Sequence, residues 1–223
     1  MGFTPACAIF ETIMRTATKP APEKFEQRRA ELGEATLQTL ATLGYARTSL
    51  REIAQNSAYS HGVLHYYFSD KTDLILCSVR QYKARCATRY DSVVSEAQDH
   101  GALMRSFLDT LGDTLRDEAP LHRLWYDLRA QAMFEEAFRD DVAVIDKSLE
   151  KMIWRVVSRL AQLAGVTEGL PSPAMAYATI DGLFQQALLK HLSGDKRAVS
   201  VMKREVGQLL AHLLPVRIEA TRP

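Results

Sequence analysis

At 223 residues the chain suits one large or two small domains, and 47% hydrophobic residues are enough for a real core. A formal net charge of +1 excludes a uniformly basic nucleic-acid-binding chain, although residues 1–90 hold 12 Lys and Arg against 8 Asp and Glu, so the front is mildly basic. Three cysteines (Cys7, Cys77, Cys86) without a CxxC pair exclude a disulfide framework and a zinc knuckle, and they fit a reducing cytoplasm. There is no apolar run of membrane-spanning length, so no membrane partner is expected.

Residues 1–24 lack a helical period and end in Lys19-Pro20-Ala21-Pro22, which reads as an arm. From 25 to 43, Leu32, Ala35, Thr36, Leu40 and Leu43 recur at spacings of three and four, and Gly44 is placed to end that helix in the left-handed conformation. Arg28 and Arg29 lie in its first turn, where cations oppose the helix dipole. That misfit leaves two readings open, an external phosphate or two solvated arginines. Three helix starts then follow in quick succession. Ser49 with Glu52 has capping-box spacing, Ser60 is a second cap, and Asp70 with Asp73 is a third. Behind Ser49 come Leu50, Ile53 and Ala54; behind Ser60 come Val63, Leu64, Tyr67 and Phe68.

Two short helices joined by a tight turn cannot make a core alone, but they are what a helix-turn-helix uses to lay its second helix in the major groove. The outer face of that second helix offers Ser60, His61, Gly62, His65 and Tyr66. The segment resembles the DNA-binding unit of the TetR (tetracycline-repressor) family of bacterial regulators. The matching residues are Thr48-Ser49-Leu50-Arg51-Glu52-Ile53-Ala54, Ser60-His61-Gly62-Val63-Leu64, Tyr67-Phe68, Lys71 and Leu74. The resemblance covers about residues 28–76. With the arginines of the first helix and the outer face of the second short helix, the expected DNA interface is Arg28, Arg29, Thr48, Ser49, Ser60, His61, Gly62, His65, Tyr66, Tyr67 and Lys71. Lys71, at the start of a helix beside free N–H groups, is expected on phosphate; His61 and His65 are expected to discriminate bases.

Beyond the head, one long helix is expected over about 72–98, with Leu74, Ile75, Val79, Tyr82, Cys86, Tyr90 and Val93 inward and Arg80, Lys83, Arg85 and Arg89 outward. Helices over about 102–117, 121–137, 140–164, 173–192 and 195–214 complete an all-α fold of about nine helices, with 215–223 a tail. Residues 25–71 form the three-helix DNA-binding domain in this reading, and 72–214 the ligand-binding and dimerisation domain. Trp125 and Tyr126 are neighbours and cannot serve one narrow stripe. With Arg129, Met133 and Phe134, and with Met104 and Phe107 from the helix before, they are either plain core or the lining of a small-molecule site. Arg129, close to the core, needs an anion. The last two helices are apolar on two sides. Ala176, Leu183, Ala187, Met202, Val206 and Leu210 are the expected seam of a homodimer, the alternative being a central helix of a monomer.

His61 and His65 have the spacing of a metal pair, but nothing nearby supplies further ligands, and no metal or cofactor is expected. No Gly-rich phosphate loop, HExxH or GxSxG occurs, and the acid pairs Glu135-Glu136 and Asp140-Asp141 point apart on a helix, so an enzyme is not expected. The expected function is a cytoplasmic, homodimeric transcriptional regulator. It binds double-stranded DNA at a palindromic operator and acts as a repressor released by a small hydrophobic effector, with or without an acidic group. The competing reading is an adaptor with a degenerate DNA head, which rests on Ala58 and His65, where the family pattern has glycine and tyrosine.

Overall fold

The computed structural model describes residues 22–214; residues 1–21 of the expected arm and the tail at 215–223 lie outside the described residues, while residues 22–24 of that arm are the first turn of a helix rather than arm. The described residues form ten α-helices and one 3-10 turn, without a strand. The order is α1 (Pro22–Leu43), α2 (Leu50–Gln55), α3 (His61–Tyr67), α4 (Lys71–Cys86), α5 (Asp91–Glu96), α6 (His100–Asp117) and α7 (Ala119–Gln131). The 3-10 turn Glu136–Phe138 precedes α8 (Arg139–Leu163), α9 (Pro173–Leu192) and α10 (Ala198–Leu213).

The three local helix starts form as their sequences dictate. Ser49 accepts the Glu52 N–H at 3.2 Å, Ser60 the Val63 N–H at 3.3 Å and Asp70 the Asp73 N–H at 2.9 Å. Gly44, at φ 73°, ends α1 and donates its N–H to the Leu40 carbonyl at 2.9 Å. The short helices bury little by themselves: Leu50 and Ile53 from α2, Leu64 and the following Phe68 from α3. They close a core only against Leu32, Leu37 and Leu40 of α1 and Leu74 and Ile75 of α4. Helix α4 packs along α1 on one side and against α8 on another, so it belongs to head and body at once.

The expected long helix over 72–98 is broken. After the Ala87 N–H bonds the Lys83 carbonyl, the next two bonds shorten to three residues, Thr88 to Arg85 and Arg89 to Cys86, and the chain turns before α5. The turn lets Tyr90 pack edge-on against Phe107, ring centroids 4.9 Å apart, and sends Arg89 inward to Glu118 and Thr114. Burial of these side chains outweighs a helix that carries no proline or glycine to stop it. The expected outer face of α4 is corrected too. Arg80 and Arg85 stay outside, paired with Asp141 and Glu34, but Lys83 is 2% exposed. A helix covered from two sides has no outer face at that position.

Helix α7 ends at Gln131, short of the expected 137. Phe134 and Glu135 both donate to the Gln131 carbonyl at 2.8 Å, and this turn swings Met133 and Phe134 to the surface, 70% and 81% exposed. In α9 and α10, Ala176, Ala187, Met202, Val206 and Leu210 are buried within the single chain, so they cannot be the seam of a dimer. Small alanines face inward because α9 lies close on α8 and α10. Leu183 is half-buried. The uncovered stripe of α9 runs instead through Met175, Thr179, Gly182, Gln186 and Leu189, with Met175 and Leu189 59% and 63% exposed.

Candidate DNA interface and effector pocket

Helix α3 stands out from the head with Ser60, His61, Gly62, His65 and Tyr66 all exposed. The His61 and His65 rings meet edge to face at 4.6 Å. Its other side is anchored through Leu64 and Phe68 and through Tyr67, whose ring lies 5.0 Å from Phe25 of α1. Phe25 also meets Tyr66 at 6.1 Å. Sequence reasoning missed Phe25, which stood alone ahead of the periodic run.

Several expected DNA contacts have other work. Arg29 donates to the Tyr67 carbonyl at 2.7 Å and to both Asp73 oxygens at 2.5 and 3.1 Å, with its guanidinium over Phe68. The anion that its position asked for is Asp73. The Arg29 pair in turn holds the Asp73 carboxyl below its usual range. Arg28 bonds Glu31 at 2.7 Å on the surface. Thr48 is buried, and its hydroxyl donates to the Gly44 carbonyl. Lys71 is half-buried; its ammonium lies 4.2 Å from the Tyr45 ring centroid and donates to the Tyr45 carbonyl at 3.3 Å. Ser49 is exposed at the start of α2.

The body holds a mostly apolar cavity of about 60 Å³. Trp125, Tyr126 and His122 of α7 line it. Tyr177, Ile180, Asp181 and Phe184 of α9 face them, with Leu149, Met152 and Ile153 of α8 along one side. Lys83, Cys86, Arg89 and Tyr90 close it from α4 and its turn, and Leu111 and Thr114 from α6. Of the ligand residues expected from sequence, Trp125 and Tyr126 take part. Phe107 is fully buried behind Tyr90, Met104 is half-buried outside the lining, and Met133 and Phe134 are at the surface.

Arg129 does not line the cavity. Its guanidinium meets Asp181 at 2.5 Å and Asp146 at 3.2 Å. Tyr126 donates to Asp181 at 2.8 Å and Tyr177 to Asp146 at 2.7 Å. Two carboxylates thus bind one arginine and two tyrosines, tying α7, α8 and α9 behind the cavity wall. Burial and the neighbouring carboxylates push both tyrosine hydroxyls well above their ordinary range. The groups that sequence reasoning missed are Lys83, His122, Tyr177 and Asp181, which look like ordinary helix-face residues until α4, α7 and α9 bring them together.

A second set of bonds links this wall to the head. From α7, Arg123 donates to the Ala41 carbonyl at 2.7 Å, and Asp127 accepts the Tyr45 N–H at 2.9 Å. The Tyr45 hydroxyl donates to Glu135 at 2.7 Å. Trp125 and Tyr126 lie between these two grips in sequence, so one turn of helix touches both the cavity and the corner between α1 and α2.

Residues 32–76 match the family described as bacterial regulatory proteins, tetR family. Residues 100–211, half of the chain, match the family described as BetI-type transcriptional repressor, C-terminal. The chain belongs to the TetR family. It is a DNA-binding transcriptional regulator. This TetR-family chain is 28% identical over 190 residues to the HTH-type transcriptional regulator BetI of Burkholderia mallei, covering 83% of this chain and 95% of that one. It is 26% identical over 190 residues to the BetI regulator of Burkholderia cenocepacia, covering 83% and 94%. The fold is shared with a TetR transcription regulator from Haloarcula marismortui (TM-score 0.67, 21% identity, 84% of this chain and 99% of that one). It is shared with FadR from Bacillus subtilis in complex with stearoyl-CoA (0.65, 17%, 81% and 96%). A regulator from Saccharomonospora viridis in complex with choline has it as well (0.63, 20%, 83% and 96%). No helix among the described residues is long and apolar enough to cross a membrane.

Proposed function

We propose that this TetR-family regulator is a homodimeric repressor that a small effector, bound between α4 and α6–α9, releases from a palindromic operator in the cytoplasm. Residues 25–71 are the DNA-binding head and 72–214 the body that dimerises and holds effector. Ser60, His61, Gly62, His65 and Tyr66 read bases, while Ser49 faces the phosphate backbone beside them. The open α9 stripe through Met175, Gly182 and Leu189 is where a second copy packs, which sets two reading helices on a two-fold axis.

The observation that carries the effector reading is the double engagement of α7. A ligand that moves Trp125 or Tyr126 moves Arg123 and Asp127 with them, and these hold the corner of the head. The ligand then shifts the population between an operator-competent and an incompetent arrangement by its difference in affinity for the two. Two fold neighbours crystallised with small molecules agree with a ligand-holding body.

Random-site selection with the intact protein should recover an inverted repeat; enrichment of a single half-site refutes the dimer. Compounds that change the protein's tryptophan fluorescence are then titrated against that operator. Asp127→Ala should bind operator and compound but lose most of the release. Release undiminished in the variant would refute coupling through α7.

A further inference from the structure

The cavity contains a cation with no counter-charge of its own. Lys83 is 2% exposed and makes no hydrogen bond or ion pair among the described residues. The two carboxylates closest to it electrostatically are taken. Asp181 accepts from Arg129 and Tyr126, and Glu118 accepts from Arg89 at 2.7 Å and Tyr82 at 2.6 Å. The Lys83 ammonium instead lies 5.0 Å from the Trp125 ring centroid and 5.1 Å from that of Tyr82. Two polar atoms of the lining are buried without partners, Trp125 Nε1 and His122 Nε2. Native interiors satisfy nearly all such groups, and a protein keeps an unpaired ammonium and an unpaired indole N–H in an apolar cavity at a cost.

Taking the cavity as the effector site, we propose that its ligand is a small organic acid whose carboxylate sits on the Lys83 ammonium and whose apolar body fills the aromatic end of the cavity. A carboxylate has lone pairs for both Lys83 and the Trp125 N–H and supplies the missing counter-charge. The apolar body meets Tyr90, Ile153, Tyr177 and Phe184. Burial pushes the Lys83 ammonium down to about 8, so it still carries its charge near neutral pH.

The aromatic walls by themselves would suit a quaternary ammonium ligand. Lys83 decides against it. The protein's own cation already lies over Trp125, the best ring for such a ligand, and the local charge repels a second cation. The surplus arginine that the sequence offered as the acid's anchor, Arg129, is neutralised by Asp181 and Asp146, so the acid-binding role falls to Lys83.

The test uses the full chain and paired probes of equal shape: the straight-chain acids from acetate to octanoate and phenylacetate, each against its neutral amide, with choline and benzyltrimethylammonium as the cationic arm. Binding is measured by calorimetry and release by operator anisotropy. The expected result is that at least one acid binds and releases DNA about ten- to a hundredfold more effectively than its amide, the range of one charge-assisted contact. In Lys83→Met, a substitution of similar length, that ratio falls to about one while the amide's own affinity holds. Trp125→Phe removes only the N–H and is expected to lower the ratio partway. Amides that match their acids, a ratio unchanged in Lys83→Met, or cationic probes that bind more tightly than every acid each overturn the acid assignment. If amides or cations bind and release DNA while acids do not, the cavity remains the effector site and only the acid is wrong. If no probe of any charge binds, or none that binds alters operator affinity, the effector reading falls with it.

Discussion

Lys83 should cost the protein stability, and the cost should depend on pH in a stated direction. Its pKa falls from 10.5 in the open chain to about 8 in the fold, because burial opposes the charge. Between those values the unfolded chain binds a proton that the folded chain does not, so stability rises with pH from about 8 to about 10.5; below 8 the penalty is complete. The gap is worth about 3 kcal/mol, and loss of the ammonium's contacts with Trp125 and Tyr82 offsets about 1 of that. Lys83→Met is therefore expected to be about 2 kcal/mol more stable than wild type at pH 7, a Tm rise of about 4–8 °C for a chain of this size. The advantage should shrink toward pH 10. The high-pKa tyrosines Tyr82, Tyr90, Tyr126 and Tyr177 lower stability above pH 10 in both proteins alike, so they cancel in the difference. Urea unfolding followed by circular dichroism at pH 7, 8, 9 and 10 measures it. A wild type more stable than the variant at pH 7, or a difference that does not change with pH, would mean that Lys83 has a counter-charge in the folded protein.

Arg129→Ala leaves Asp181 and Asp146 facing each other's charge with only tyrosines as donors. A loss of about 2 kcal/mol is expected, below the value for a fully buried pair because Arg129 is 31% exposed, and an Asp181→Asn, Arg129→Ala cycle should show strong coupling. Additive effects would remove the network. A Cβ at Gly182 meets nothing within 4 Å in the single chain, so Gly182→Trp should still fold, by circular dichroism, and lose its dimer in sedimentation; a folded variant that stays dimeric moves the interface away from α9. His61→Ala should alter base preference at one or two positions per half-site at a cost of about 1–3 kcal/mol, read by selection on random DNA, whereas an unchanged preference removes His61 from base reading.

What could be read from the sequence was what short-range chemistry decides. Ser49, Ser60 and Asp70 cap helices that begin within one residue of them, so the reading unit was visible without the rest of the fold. Gly44 ended α1 for the same local reason. What was hidden depends on partners far along the chain. Arg129 announced that it needed an anion, but Asp181 lies 52 residues on, and no spacing rule connects them. Arg29 found Asp73 in the same way, 44 residues away. The breaks after Cys86 and Gln131 carry no proline or glycine; buried Tyr90 and the packing of Phe138 make them. Lys83 had the spacing of a surface lysine, and only the second layer of helices over α4 put it inside.

Helix α4 has a practical consequence for anyone who builds sensors by exchanging reading heads between such proteins. A junction placed at residue 71 looks clean in sequence, yet it separates Arg29 from Asp73, leaves Asp127 in the body waiting for a backbone N–H at the corner of the incoming head, and leaves Glu135 waiting for a tyrosine hydroxyl there. A hybrid that carries its own tyrosine there, and takes the first turn of α4 along with the head, should still respond to effector. One that lacks either should bind its operator and ignore the signal, a transcription switch fixed in one position.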